Sequence, residues 1–224
     1  MNSRAELPPP LPPETRTVGQ LVAESVRLYQ RRFWPSLALG IGPAATGISI
    51  ATLPRWGDLA FVLTGGGLLM TASYIGATAI VADVRPDTRT IVQALLAGAA
   101  VFLPVPFLTS LLLLPGAAWL ALVGLVVPVL VLERPGFRNA FRRAVELARA
   151  DYVHAFGSLL TLAVVALLTS SVLFFLLRGQ AEAALAVAAF LALLVISPLV
   201  FLGAALLYFD QAARQRVAAE ARTA

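Results

Sequence analysis

Residues 91–132 contain no charged side chain. A run of that length is about twice what one bilayer crossing needs, roughly 20 residues. It reads as two helices folded back on each other, with Pro115-Gly116 as the expected turn. Four more apolar segments follow the same logic, so six crossings are predicted at about 36–53, 59–83, 92–113, 117–132, 156–177 and 184–209. Composition points the same way: the chain is 59% hydrophobic and 13% charged, against about 25% charged in a soluble domain. The expected fold is therefore all-α: a polytopic membrane protein with six transmembrane helices.

All 17 basic residues are arginine. With the six crossings drawn, 15 of them fall in the N-terminal tail, the second and fourth loops and the C-terminal tail. Arg55 and Arg178 fall on the other side. The positive-inside rule then predicts a multipass protein of a bacterial inner membrane with both termini cytoplasmic. The net charge of +5 borders apolar segments instead of covering a solvated domain. That makes anionic lipid headgroups the expected partner, with another membrane protein as a further one, and nucleic acid is excluded.

Two segments are amphipathic. In 17–34, Val18, Leu21, Val22, Leu28, Tyr29 and Phe33 recur at helical spacing, opposite Gln20, Glu24, Arg27, Gln30 and Arg31. Thr17 and Gln20 have capping-box spacing. In 136–152, Phe137, Phe141, Ala144, Val145, Ala148 and Tyr152 oppose Arg138, Arg142, Arg143, Glu146 and Arg149. Both are expected to lie in the headgroup plane, with Arg27, Arg31, Arg32, Arg138, Arg142, Arg143 and Arg149 as headgroup contacts. The domain reading is a disordered Pro-rich tail over 1–16, with no signal-peptide core, a transmembrane domain over 17–211 and a tail over 212–224.

Thr17-Val18-Gly19-Gln20-Leu21 has an echo in Thr90-Ile91-Val92-Gln93-Ala94. The chain thus reads as three units, each an interfacial entry helix followed by two crossings. Each unit ends on an acid, Asp83, Glu133 or Asp210, just past an apolar turn. An anion at a helix C-terminus is unfavourable by about 0.3–1 kcal/mol. Each of the three is expected to bond an arginine or a helix N-terminus and so dock the interfacial helices onto the bundle.

Catalytic signals are sparse. There is no cysteine and one histidine, His154, so thiol chemistry and multi-histidine metal sites are excluded. His154 and Ser158 share a helix face, but no third residue and no oxyanion signature accompany them. No cofactor or metal is expected, and the chain reads as a non-enzyme. Pro43, Pro104, Pro106, Pro128 and Pro198 interrupt expected crossings, which supports a second reading as a small transporter or lipid-handling protein.

The blocks TVGQLVAESVRLYQRRFWPSL, VLVLERPGFRNAFRRAVELARADYVHAFG and LLYFDQAARQR resemble bacterial membrane proteins of the glycerophosphoryl-diester-phosphodiesterase membrane-domain type. The resemblance covers the chain after residue 15. It implies an interfacial lead helix, a basic Phe-rich helix and a six-helix bundle. Hydrolysis in the enzymes that name the family belongs to a separate soluble domain, so that activity is not carried over. The function expected is a non-enzymatic scaffold or accessory protein that contacts anionic lipid or a partner membrane protein.

Overall fold

A computed structural model of the chain describes residues 12–52, 54–176 and 182–223. Among them there is helix and no strand. The chain enters through a 3-10 turn, Pro13–Thr15. Helix α1 (Val18–Arg31) begins at a capping box: the Thr17 hydroxyl accepts from the Gln20 amide, and the Gln20 side chain accepts from the Thr17 amide. Arg32 leaves helical geometry (φ −121°, ψ 51°), and α2 (Phe33–Ala38) and α3 (Ile41–Thr52) follow.

Helix α4 (Arg55–Phe61) runs through a π-helical stretch, Val62–Gly66, into α5 (Gly67–Ala82). Then come α6 (Thr88–Phe102), α7 (Val105–Leu111), α8 (Leu113–Val123), α9 (Val126–Leu132), α10 (Phe137–Ala148), α11 (Tyr152–Leu176) and α12 (Glu182–Thr223). Five stretches are long and apolar enough to cross a membrane: Leu59–Ala82, Thr88–Ser110, Leu113–Leu132, Tyr152–Val172 and Ala186–Ala221. The chain is an all-α polytopic membrane protein.

The structure departs from expectation at several boundaries. The first predicted crossing, 36–53, is not one continuous helix: it breaks at Leu39-Gly40 between α2 and α3. Gly40 packs against α12 so closely that a Cβ there would collide with the carbonyl oxygen of Leu194. Leu194 lies four residues before Pro198, which has no N–H to offer that carbonyl. The break in one helix therefore fits over the defect in another.

The turn predicted at Pro115-Gly116 is at Leu112, which is extended (φ −165°, ψ 157°). Proline costs nothing in a first helical turn, where its missing N–H has no partner anyway, so Pro115 sits inside α8. That lengthens the fourth crossing from 117–132 to 113–132. The entry helices are shorter than drawn, ending at Arg31 and Ala148. The tail boundary also moves: Arg16 is buried, and α12 continues to Thr223 through most of the expected C-terminal tail. Residues 1–11, Arg178 and the side chains of Arg55, Asp58 and Glu182 lie outside the described residues.

Two helices organise the core. In α9, Val126 to Val131 are all buried, as expected for a helix apolar on every side; it packs on α5, α6 and α10. Helix α12 packs on α1, α3, α5 and α11, burying Phe201, Leu202, Leu206 and Leu207. Several polar side chains within the apolar spans are buried and bond to carbonyls. Thr71 and Thr78 donate to the carbonyls of Gly67 and Tyr74, and the Tyr74 hydroxyl donates to Ala204 O.

The entry helices share a register. Helix α6 buries Thr90, Ala94, Ala97 and Gly98; α10 buries Ala140, Ala144, Leu147 and Ala148, each 50 residues further on. The same offset carries Asp83 to Glu133. The Thr17–Thr90 echo is not part of this equivalence. Thr17 is an exposed cap, whereas Thr90 is buried and donates to Asp87.

Candidate functional site

Every acid and arginine of the site lies at one end of the bundle, where α10, α12 and the segment before α1 converge. Asp210 is the innermost. It sits on α12 one turn past the apolar core and is fully buried. Arg16 Nη1 donates to its Oδ1 at 2.6 Å, and His154 Nε2 lies 3.4 Å from its Oδ2.

Arg214, one turn further along α12, donates to the Arg16 carbonyl (2.8 Å) and to Asp151 Oδ2 (2.6 Å). Asp151 in turn caps α11, accepting the His154 amide at 3.0 Å. The Gln211 side chain brackets the Asp151 backbone, accepting from its N–H and donating to its carbonyl. Asp210, Asp151, Arg16 and Arg214 balance in charge, and the fully buried Asp210 has the close partner that burial of an ion demands.

Glu133 is the second centre. Arg143 Nε on α10 reaches both its oxygens, at 2.9 and 3.2 Å, and the Tyr208 hydroxyl donates to Oε1 at 2.8 Å. Arg143 Nη1 continues to Gln215 Oε1 at 2.6 Å. So α10 is tied to the end of α9 and to α12 by one guanidinium.

Asp83 is the outermost. Arg32 Nη2 lies 2.8 Å from its Oδ1, but the Asp83 side chain is 78% exposed. Such a pair is worth under about 1 kcal/mol. Asp83 closes α5 with a left-handed residue (φ 54°).

The seven arginines expected at headgroups divide. Arg32 and Arg143 are taken by Asp83 and Glu133. Arg27 leans on Glu24 at 3.4 Å and Arg142 on Glu146 at 3.6 Å. Arg31, Arg138 and Arg149 are exposed and have no carboxylate partner among the described residues.

Sequence reasoning picked out the three acids but not the side chains that complete their surroundings: Arg16, Asp151, Tyr208, Gln211, Arg214 and Gln215. The signal was present. Tyr208, Gln211 and Gln215, and Asp210 and Arg214, recur three or four residues apart beyond the apolar part of α12. The i, i+4 spacing of His154 and Ser158 puts a base and a hydroxyl on one helix face. In the structure His154 Nε2 faces Asp210, and the buried Ser158 hydroxyl has no hydrogen-bond partner. No group of three or more potential metal-ligating side chains occurs among the described residues.

One further charged feature lies outside these centres. Asp87, Arg89, Thr90, Gln93, Arg134 and Gly136 line an open cleft of about 290 Å³. The carboxyl of Asp87 is held below its ordinary range, chiefly by the hydrogen bond from the Thr90 hydroxyl (2.6 Å), with Arg134 adding to it.

Comparison with known proteins returns no matching family model, no matching curated protein and no matching solved structure.

Proposed function

We propose that this chain is a non-enzymatic scaffold of the bacterial inner membrane that gathers anionic lipid at its cytoplasmic face. The observation that carries the reading is the division of the arginines. Arg32 and Arg143 hold helices to the bundle through Asp83 and Glu133. Arg31, Arg138 and Arg149 are exposed with no carboxylate partner among the described residues. Exposed guanidiniums at the ends of interfacial helices match phosphate oxygens, each basic residue contributing about 1 kcal/mol near an anionic surface.

Six crossings with both termini cytoplasmic belong to this proposal. The Arg16–Asp210 contact supports an even number, because it holds the start of α1 and the end of the last span on one side. Five stretches qualify singly, and α2 with α3 makes the sixth, bent at Gly40. The likeness to the phosphodiesterase membrane domain is part of the same reading: it supports an architecture and no hydrolysis.

The test is lipid enrichment. Full-length protein is extracted from bilayers of mixed neutral and anionic lipid, and the co-purifying lipid is quantified. Wild type should be enriched in anionic lipid several-fold over the bulk, and Arg31→Gln/Arg138→Gln/Arg149→Gln should lose most of that enrichment. Equal enrichment in the two proteins rejects the scaffold reading. A second reading, transport of a small or lipidic solute, is favoured by the interruptions at Leu39-Gly40, Leu103-Pro104 and Gly124-Leu125. Solute flux in proteoliposomes would decide for it.

A further inference from the structure

The cleft between the α5–α6 loop and the α9–α10 loop is built from two parts of the chain that carry related sequence. The 50-residue offset that aligns α6 with α10 places Gln93 where α10 has Arg143. At the α10 position the arginine is consumed internally by Glu133. At the α6 position the side chain is a neutral amide, with no hydrogen-bond partner among the described residues, and it opens into the cleft. Two arginines join it, Arg89 from α6 and Arg134 from the opposite loop. The carboxylate in the cleft, Asp87, stands 3.6 Å from Arg134, a loose contact, and Arg89 has no acidic partner among the described residues. Where one junction closes on its own carboxylate, the other is left with an excess of donors.

The backbone adds an independent observation. Arg134 has a φ of +54°, and only Asp83 shares a positive φ among the described non-glycine residues. A left-handed conformation costs an ordinary side chain about 1–2 kcal/mol and suits glycine. It is also followed by Pro135, which restricts the backbone further. The Arg134 N–H donates to the Val129 carbonyl at 3.2 Å, so the left-handed turn closes α9 as Asp83 closes α5. That stop fixes the backbone of Arg134 at the rim of the cleft and leaves its guanidinium with only the loose contact to Asp87.

We propose that this cleft binds one phosphate group, through the guanidiniums of Arg89 and Arg134 and the amide of Gln93. Guanidiniums present paired N–H groups that match two phosphate oxygens. The cleft's volume is close to the lower end of small-ligand sites, about 300 Å³, which suits a headgroup phosphate and not an extended ligand. Asp87 limits affinity and disfavours divalent anions; a phosphodiester, with its single charge, fits better. The inference rests on the anionic-lipid reading above but differs from it in kind. It is a saturable site for one molecule, on residues other than Arg31, Arg138 and Arg149.

The experiment uses full-length protein in neutral detergent and measures binding by thermal shift and calorimetry. The probes are a short-chain phosphatidylglycerol, a short-chain phosphatidylcholine and inorganic phosphate. Wild type should bind the phosphatidylglycerol saturably, near one per chain. Arg89→Gln and Gln93→Glu should each weaken it about tenfold or more, the scale of one lost charge-assisted hydrogen bond.

Arg134→Gly is the decisive variant. It should bind as poorly as Arg89→Gln, while its unfolding midpoint stays level with wild type or rises, because glycine relieves the strain. Inorganic phosphate binding as tightly as the lipid would identify a soluble phosphate ester as the ligand, with the site intact. Preference for the glycerol lipid identifies the headgroup. Absence of saturable binding in wild type, or undiminished binding in Arg134→Gly, overturns the proposal. Arg31→Gln/Arg138→Gln/Arg149→Gln should leave this stoichiometric binding unchanged, so failure of the lipid-enrichment reading and failure of the cleft are read separately.

Discussion

Asp210, Glu133 and Asp83 are the same kind of residue at the same kind of position, and their environments make them unequal. Asp210 is fully buried against Arg16 and His154, so removing one partner strands a charge. Asp210→Asn or Arg16→Gln is expected to cost about 3–5 kcal/mol, read as a lowered unfolding midpoint in detergent. Asp210→Asn should also free the N-terminal segment, so that trypsin cuts after Arg16, a bond held against α12 in the folded protein. Resistance of Asp210→Asn to that cut would remove the clamp from the argument. Asp83→Asn should shift stability by less than about 1 kcal/mol, because its pair with Arg32 is open to water. Asp87 is the residue with a pH signature. Its folded-state carboxyl is lowered by Thr90, so its contribution is present above the ordinary carboxylate range and is lost as pH falls through the folded value. In Thr90→Val the Asp87 carboxyl, followed by NMR, should titrate at higher pH than in wild type; an unchanged titration would show that the hydroxyl is not the cause.

At the scale of the element, the interruptions are matched between helices. The Gly40 break lies over the Leu194 carbonyl, to which Pro198 offers no N–H, so Gly40→Ala should be destabilising, by about 1–3 kcal/mol, as overpacking typically is. Pro198→Ala restores an N–H for that carbonyl, yet it does not make room for a Cβ at residue 40. The double variant should therefore remain less stable than Pro198→Ala alone in the same thermal assay. Elements of this kind explain what the sequence did and did not disclose. Amphipathic periodicity and the cap at Thr17 placed α1 within a few residues, because both signals are local. The α7–α8 turn was misplaced because Pro115-Gly116 is a strong local turn signal, and proline is equally at home in the first turn of α8. The α2–α3 break was missed because its cause, the approach of α12, comes from residues far along the chain. The same holds for the site: the acids could be recognised from the end of each apolar run, whereas Arg16 reads as tail until α12 is packed beside it.

For the whole molecule, the contacts at the basic end act as a parity constraint. Arg16 and Asp210 touch, and Glu133 touches Arg143 on α10 and Tyr208 on α12. The starts and ends of several spans must therefore meet on one side of the bilayer. An odd number of crossings between Arg16 and Asp210 would put them on opposite faces and forbid a buried ion pair, so the proposed sixth crossing by α2 and α3 is the arrangement this contact supports. The arginine distribution, set by insertion energetics, and the ion-pair geometry, set by packing, are independent arguments for the same arrangement. The absence of native cysteine makes the consequence directly measurable. Gln30→Cys, exposed near the end of α1 and ahead of α2, should react with a membrane-impermeant maleimide in inverted vesicles and be protected in right-side-out ones. Trp56→Cys, 82% exposed at the far end of the second crossing, should show the opposite pattern. If both positions label from the same side, α2 and α3 do not cross, and the Arg16–Asp210 clamp cannot exist in the membrane.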